Sequence, residues 1–218
     1  MIRVFIGFDP REAINYAVLA NSISRLSTTP VSITPLNLAN LPMYNEIHTD
    51  GSTEFSYSRF LVPHLMNYTG WAIYMDCDML VRSDISKLWA LQDSNYAVQC
   101  VKHNYSTKQS VKFWGNNNNN YYRKNWSSLM LFNCSKLTNL TPPLIENSTG
   151  KFLHQFEWID DSDVGELPIE WNWLADEYGV NDSASLIHYT LGSPCFEEYK
   201  DTPMSDKWFE ELKLIYER

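Results

Sequence analysis

The chain has 218 residues and a formal net charge of -9 at pH 7. This length predicts one domain, residues 1–218, with its own hydrophobic core. The acidic balance argues against a nucleic-acid-binding surface, which needs clustered Lys and Arg. No apolar run approaches the ~20 residues that span a bilayer, and the first residues predict a strand rather than a signal peptide. We therefore expect a cytoplasmic protein with no transmembrane segment.

The first third of the chain alternates strand and helix signals. Asp9-Pro10-Arg11-Glu12 is typical of a helix start, because a capping Asp is followed by Pro and then by Glu. Pro63 makes a later helix irregular. The predicted elements are strand 3–8, a helix ending near Leu26, strand 31–36, a loop over 38–53 and a helix over 55–66.

The rest of the chain continues the alternation, which indicates an α/β sheet. The predicted elements are strand 71–81, helix 85–89, strand 96–101, strand 127–132 and a terminal amphipathic helix over 204–218. Between the last two strands, Asn116–Asn120 is a polar tract that we expect not to pack. A substrate lid and a solvated hairpin tip are equally good interpretations of this tract.

The four cysteines are widely spaced, with no C-x-x-C pair among Cys77, Cys100, Cys134 and Cys195. This spacing indicates neither a zinc cluster nor a disulfide framework, so we expect reduced thiols.

The apolar run Trp71–Val81 contains two aspartates one residue apart, Asp76 and Asp78. Residues two apart in an extended chain point to the same side, so both carboxylates could reach one ligand. A hard divalent cation suits such a pair, since it prefers oxygen ligands and leaves positions for the phosphates of a substrate. The alternative is that the pair only caps a strand. Its place at the carboxyl end of a sheet strand favours a ligand site.

Several motifs occur together in one order along the chain: Tyr57-Ser58-Arg59, the Asp76-x-Asp78 pair, Leu80–Trp89 and His188-x-x-x-Gly192. In this combination the chain resembles retaining glycosyltransferases of the galactosyltransferase and glycogenin type. The resemblance implies the GT-A fold, a single Rossmann-like nucleotide-binding domain with a mixed central sheet flanked by helices.

The resemblance also implies a metal site and a nucleotide site. Asp76, Asp78 and His188 would bind Mn²⁺ or Mg²⁺, which holds the diphosphate of a nucleotide sugar. His188 must be neutral to coordinate a metal, and its alternative role is a buried structural histidine. The nucleotide-binding residues implied are Phe5, Gly7, Phe8, Asp9, Arg59, Cys77 and Gly192; Asp9 could equally only cap its helix.

The catalytic residues implied by the resemblance are Arg59 and an acidic segment. Arg59 matches an arginine that contacts the donor sugar and steadies the first aspartate, although it could be an ordinary surface arginine. Asp160, Asp161 and Asp163 match a segment that orients the donor sugar hydroxyls, and carboxylates accept hydrogen bonds from such hydroxyls. The alternative is a helix-capping acidic turn, and the sequence does not select one of the three.

The end of the bacterial galactosyltransferase pattern, His-x-x-Gly-x-x-Lys-Pro-Trp, is altered in this chain. Gly192 comes one residue later, and Ser193–Phe196 lacks the lysine that would contact phosphate. Phosphate binding at that end must then depend on main-chain amides or on another cation.

These features predict a metal-dependent enzyme that transfers a hexose from a nucleoside diphosphate sugar, with UDP as the expected nucleotide, to a carbohydrate acceptor. The acceptor is an oligosaccharide, a glycan or a lipid-linked sugar, and the resemblance implies retention at the anomeric carbon. Two alternatives are a phosphohydrolase of the haloacid dehalogenase type and a catalytically dead sugar- or nucleotide-binding protein. The first would need its aspartates on the first strand, whereas Asp76 and Asp78 lie mid-chain.

Overall fold

The computed structural model describes residues 1–217. The strands within them are β1 (Ile2–Gly7), β2 (Val31–Leu36), β3 (Trp71–Met75), β4 (Met79–Val81), β5 (Val98–Cys100), β6 (Val111–Lys112), β7 (Asn116–Asn117), β8 (Leu129–Asn133), β9 (Val164–Glu166), β10 (Trp173–Leu174) and β11 (Leu186–His188). The α-helices are α1 (Ala13–Leu26), α2 (Phe55–Ser58), α3 (Val62–Leu65), α4 (Ile85–Trp89), α5 (Pro142–Asn147), α6 (Gly150–His154), α7 (Ala175–Tyr178) and α8 (Ser205–Tyr216).

The central sheet is mixed, with strand order β2-β1-β3-β8-β5-β9. Strand β1 runs parallel to β2 and β3, β8 runs antiparallel to β3 and β5, and β9 is parallel to β5. Strand β8 and all but the first residue of β3 are buried, as expected for apolar strands covered on both faces. The predicted mixed sheet flanked by helices is therefore confirmed.

The predicted strand 71–81 is two strands in two sheets. Strand β3 pairs with β1 and β8, whereas β4 joins a small sheet of order β10-β11-β4. Asp76 donates its amide to Ser128 on one side, and Asp78 accepts from the amide of Tyr189 on the other, both at 3.0 Å. Residues 76–78 thus form the junction between the sheets. The antiparallel register of β11 sets His188 opposite Met79, beside this junction.

The predicted helix over 55–66 is three short turns, α2, a 3-10 turn at Arg59–Leu61, and α3 with Pro63 in its first turn. The predicted helix start at Asp9 is also observed, since its side chain accepts the amide of Arg11 and Pro10 opens the turn. None of the helices within residues 1–217 combines the length and the apolar character needed to cross a bilayer.

The Asn-rich tract packs more than its composition predicts. Strands β6 and β7 form an antiparallel hairpin whose turn includes two left-handed residues, Trp114 (φ 57°) and Gly115 (φ 72°). Asn118 is 7% exposed and accepts a hydrogen bond of 2.7 Å from Lys124 Nζ. A buried side-chain amide that accepts a hydrogen bond from a charged donor belongs to a packed segment and not to a solvated hairpin tip. The expectation of an unpacked tract is therefore wrong at Asn118.

Candidate active site

A cavity of about 690 Å³ opens beside the junction of the two sheets. Asp76, Asp78 and His188 contribute to its wall, at the carboxyl ends of β3 and β11. The Asn-rich hairpin lines one part of it, and residues 49–53 with α6 line another. This position agrees with the rule that ligands bind at the carboxyl ends of strands in α/β sheets.

The two aspartates and the histidine lie close enough to share one ion. One ligand atom from each of Asp76, Asp78 and His188 lies within 4.8 Å of the other two. His188 Nε2 is 3.3 Å from Asp78 Oδ1, and that buried oxygen has no hydrogen-bond partner among residues 1–217. An orphaned buried carboxylate oxygen facing an imidazole nitrogen is an unfavourable arrangement that a cation would relieve.

A chain of hydrogen bonds fixes which nitrogen of His188 carries the proton. Ser128 Oγ donates to the carbonyl of Asn125 at 2.7 Å, so it accepts from Asn172 Nδ2 at 2.9 Å. The Asn172 amide is thereby oriented with Oδ1 toward His188 Nδ1, at 3.0 Å. Nδ1 must then be the donor, so in the neutral form of the ring the lone pair would lie on Nε2.

The donor set fits a divalent cation such as Mn²⁺. Two carboxylates and an imidazole nitrogen suit a borderline-hard ion, and three protein ligands leave positions for a substrate. Asn172 holds the outer nitrogen of His188, as the partners of metal-ligating histidines commonly do.

Replacing Asn172 by Leu should weaken Mn²⁺ binding by about 10- to 100-fold, because the acceptor that orients His188 is lost. Asn172→Asp keeps an acceptor at the same position and should retain binding. Both affinities are measured by titrating Mn²⁺ and following the free ion by electron paramagnetic resonance. Equal affinities for wild type and Asn172→Leu would show that His188 needs no such orientation.

Asp76 is held by two side chains of the interior. Arg59, 6% exposed, places Nη1 at 2.9 and 3.2 Å from the two carboxylate oxygens, and Tyr74 donates its hydroxyl at 2.6 Å. Burial raises the pKa of Asp76, and Arg59 opposes this rise. Arg59 also donates to the carbonyls of Phe55, Ser56 and Ser127. It is therefore a buried positioning group and not a surface arginine.

Cys77 points away from the aspartates that flank it. Its fully buried thiol lies 3.8 Å from Glu12 Oε2 and is not part of the cavity wall. Burial together with Asp78 raises the pKa of Glu12 to about 8. Glu12 Oε1 is buried and has no partner among residues 1–217. The family resemblance implied that Cys77 binds the nucleotide, but in the structure its thiol lies against this acid.

The raised pKa of Glu12 predicts a pH dependence of stability. Between about pH 4.5 and 8 the unfolded state releases a proton that the folded state keeps, so stability falls as pH rises through this range. Between pH 5 and pH 8 we expect the free energy of unfolding of the wild type to fall by on the order of 3 kcal/mol through Glu12. Glu12→Gln should remove this fall, because the amide does not ionise. Thermal unfolding in EDTA at pH 5 and pH 8 measures this for wild type and variant. Parallel pH profiles of the two proteins would contradict the assignment.

The end of β1 is occupied by the protein's own side chains. Asp9 accepts from the amide and Nε of Arg11 at 3.0 and 2.8 Å and from the amide of Glu54 at 3.2 Å. Burial raises the pKa of Asp9, but the bonds from Arg11 outweigh it and the pKa is lowered. Asp9 therefore caps its helix as an ion-paired carboxylate. The guanidinium of Arg11 lies 4.0 Å over the ring of Trp114.

The remaining nucleotide-binding candidates pack against aromatic rings or in the core. A Cβ on Gly7 would come within 2.4 Å of the Phe55 ring, and one on Gly192 within 2.4 Å of the Tyr199 ring. Phe8 makes an edge contact with Tyr16, and Phe5 is part of the hydrophobic core. The two glycines thus admit aromatic side chains of this chain, whereas the sequence analysis assigned them to the nucleotide.

The acidic segment lies outside the cavity wall. Asp160 and Asp161 are exposed, and Asp161 Oδ1 accepts from Arg123 Nη2 at 2.5 Å. Asp160 and Asp163 line a separate surface depression next to Ala97. The segment precedes β9, which runs in the same direction as β3. It therefore lies at the amino end of β9, whereas the cavity lies at the carboxyl ends of the strands. The expectation that these aspartates face the donor sugar therefore needs correction.

Other residues of the cavity wall were not anticipated. His154 Nδ1 and Ser127 Oγ share a hydrogen bond of 2.8 Å. Burial lowers the pKa of the His154 ring to about 3, so the ring is neutral. Lys112 and Tyr121 flank the Asn-rich tract and also line the cavity. Asn172 is fully buried next to His188 and is not part of the cavity wall. It had a signal in the sequence, since it stands between two tryptophans shortly before His188.

Comparison with known proteins gives the family. The sequence profile described as Glycosyl transferase family 8 matches residues 40–193. Protein CDI of Arabidopsis thaliana is 41% identical over 222 residues, which cover 97% of this chain and 86% of that protein. The chain therefore belongs to glycosyl transferase family 8, and the expectation of a glycosyltransferase is confirmed. The haloacid dehalogenase alternative is wrong.

Solved glycosyltransferases share the fold. The apo structure of the bifunctional glycosyltransferase WbbM superposes with a TM-score of 0.68 at 17% identity, covering 97% of this chain and 49% of that one. This chain thus spans about half the length of WbbM. The galactosyltransferase LgtC, solved with donor and acceptor sugar analogs, gives a TM-score of 0.63 at 14% identity, covering 97% and 95% of the two chains. These likenesses confirm the GT-A fold.

Proposed function

We propose that this chain transfers a hexose from a UDP-sugar to a carbohydrate hydroxyl, with retention of the anomeric configuration. The observation that carries the proposal is the cluster of Asp76, Asp78 and His188 at the wall of a 690 Å³ cavity. A cavity of this size suits a nucleotide sugar. The cytoplasmic location and the single domain over 1–218 remain proposals.

The metal-binding residues would be Asp76, Asp78 and His188. A divalent cation held there, Mn²⁺ or Mg²⁺, would offset the negative charge that accumulates on the departing diphosphate. Arg59 keeps the Asp76 carboxylate in place, and Asn172 keeps Nε2 of His188 directed to the ion. These contacts of Arg59 and Asn172 with the metal-binding side chains hold the site in one geometry before the substrate binds.

The carboxylates of the cavity wall favour attack on the same face as the departing diphosphate. Besides the two cluster aspartates, the cavity wall includes one carboxylate among residues 1–217, Asp50, and this group accepts the Tyr57 hydroxyl. Asp50 and Asp76 are thus held by other side chains, and Asp78 would bind the metal ion, so we assign none of the three as a covalent nucleophile. We propose that a phosphate oxygen of the donor takes the proton of the acceptor hydroxyl.

The part of the cavity formed by residues 49–53 and α6 is our proposed acceptor region. It is lined by hydroxyl, carboxylate and imidazole groups, which can exchange hydrogen bonds with a sugar. Tyr57 lines the cavity, and its ring stacks on that of His48 with centroids 3.6 Å apart. This flat pair can stabilise the acceptor end of the cavity.

Incubation with a panel of UDP-hexoses and Mn²⁺ tests the proposed function. One UDP-hexose should release UDP faster than the others, and addition of EDTA should stop the release. Adding oligosaccharide acceptors should then raise the rate, and nuclear magnetic resonance of the product should show the donor's anomeric configuration. A catalytically dead binding protein would bind UDP and release none from any donor.

A further inference from the structure

The segment that follows His188 offers no basic side chain to the diphosphate of the proposed donor. Residues 189–199 contain neither Lys nor Arg, and exposed Lys200 bonds to Glu197. Asp76 and Asp78 already balance the charge of one divalent ion, and Arg59 is committed to Asp76. Of the two ways to bind phosphate here, main-chain amides or another cation, a cation would also offset the phosphate charge through charge-assisted hydrogen bonds.

Three lysines line the cavity, and their side chains differ in their partners. Lys124 Nζ donates to Asn118 Oδ1 and the carbonyl of Asn119, and exposed Lys151 lies 3.4 Å from Glu157. Half-buried Lys112 has no hydrogen-bond acceptor and no carboxylate within 4.0 Å among residues 1–217. Its Nζ lies 5.5 Å from the centroid of the Phe113 ring, which accepts no ordinary hydrogen bond. A desolvated ammonium without a hydrogen-bond acceptor is costly, and an anion in the cavity would offset that cost.

The ammonium of Lys112 also interacts electrostatically with the aspartates of the proposed metal site. Burial lowers the pKa of its ammonium, while the nearby carboxylates of Asp78 and Asp76 raise it. These are the groups that would hold the metal ion. A phosphate bound to that ion would therefore come into the neighbourhood of Lys112.

The hairpin that carries Lys112 is attached to the segment after His188. The amide of Phe113 donates to the carbonyl of Leu191 at 2.7 Å, and the Phe113 ring stacks on Phe196 with centroids 5.9 Å apart. Strand β6 is thus fixed beside the stretch that carries no cation of its own. The hairpin brings a lysine to that stretch from a different part of the chain.

We propose that Lys112 binds the diphosphate of the donor, together with the metal ion held by Asp76, Asp78 and His188. This inference rests on the proposed function for the nature of the ligand. It assigns a binding role to the hairpin of β6 and β7, which bears the only cavity lysine in residues 1–217 whose ammonium has neither a hydrogen-bond acceptor nor a carboxylate partner.

Calorimetric titrations of the full chain with Mn²⁺ test this role, using inorganic pyrophosphate, UDP and uridine as separate probes. Lys112→Gln should weaken binding of pyrophosphate and UDP by about 10- to 100-fold, as expected for a charge-assisted hydrogen bond. Lys112→Arg should largely restore both affinities. Lys87→Gln, on the exposed face of α4, is the matched control and should bind like wild type. Unfolding curves verify that the variants are folded.

The outcomes separate this inference from the proposed function. Unchanged pyrophosphate and UDP affinities in folded Lys112→Gln would overturn the role of Lys112 and leave the UDP site intact. Lys112-dependent binding of pyrophosphate without binding of UDP would support Lys112 and reject UDP as the nucleotide. Failure of the wild type to bind either probe with Mn²⁺ would overturn both.

Discussion

Asp78→Asn should abolish transfer and weaken Mn²⁺ binding by more than about 100-fold, a larger loss than for a group that only orients a ligand. The substitution keeps the shape of the side chain and removes the negative charge. In the present structure Asp78 Oδ1 is buried, without a hydrogen-bond partner among residues 1–217, and 3.3 Å from His188 Nε2. This oxygen is therefore free for the cation that we propose. Release of UDP and binding of Mn²⁺ are measured on the same preparation.

Asp160→Asn is the matched control for this prediction. It removes the same charge from an exposed position outside the cavity wall, and its Mn²⁺ affinity and turnover should stay near those of wild type. Full turnover in Asp78→Asn would contradict the metal site. A large loss in Asp160→Asn would restore the acidic segment as part of the catalytic machinery.

Arg59→Met should destabilise the metal-free protein by about 3–5 kcal/mol, because it leaves the Asp76 carboxylate buried without its countercharge. Asp76 is 8% exposed, and Tyr74 would be its main remaining partner. The variant should therefore unfold at a lower temperature, and it should lose activity with the geometry of Asp76. Thermal and urea unfolding in EDTA measure the change.

The double variant Arg59→Met with Asp76→Asn separates the charge pair from simple packing. Removing the carboxylate as well should recover a large part of the lost stability, since no unpaired buried charge is left. Lys200→Met, in the exposed pair with Glu197, serves as the control and should leave the unfolding midpoint unchanged. Additive effects of the Arg59 and Asp76 substitutions would show that the two groups do not interact.

The metal cluster could be predicted in part from the sequence because its first two members depend on local geometry. An apolar run with Asp at alternate positions predicted two carboxylates on one side, and Cys77 between them points to the opposite side. His188 lies over a hundred residues further on, and its approach depends on the pairing of β11 with β4. The residues alone carry no signal for that pairing, so His188 came from the family resemblance.

The misplaced residues share a physical reason. The order of motifs along the chain placed Asp160 and Asp161 near the donor. The direction of β9 instead puts them at the amino end of that strand, away from the cavity at the carboxyl ends. The resemblance implied Gly7 as a nucleotide-binding residue, whereas in the structure the Phe55 ring fills the space where a side chain of Gly7 would lie. Contacts between distant segments determine both outcomes, strand pairing for the aspartates and side-chain packing for Gly7. The same limit hid Lys112, whose position depends on the contact of Phe113 with Leu191.

The most direct test of the metal-dependent nucleotide site is a calorimetric titration of UDP into the wild-type protein, once with Mn²⁺ and once with EDTA. The structure predicts binding with Mn²⁺ and a loss of at least about 100-fold in EDTA, because the phosphates would then face Asp76 and Asp78 without a cation. Equal binding in both solutions, or none in either, would contradict a metal-bridged UDP site at this cluster.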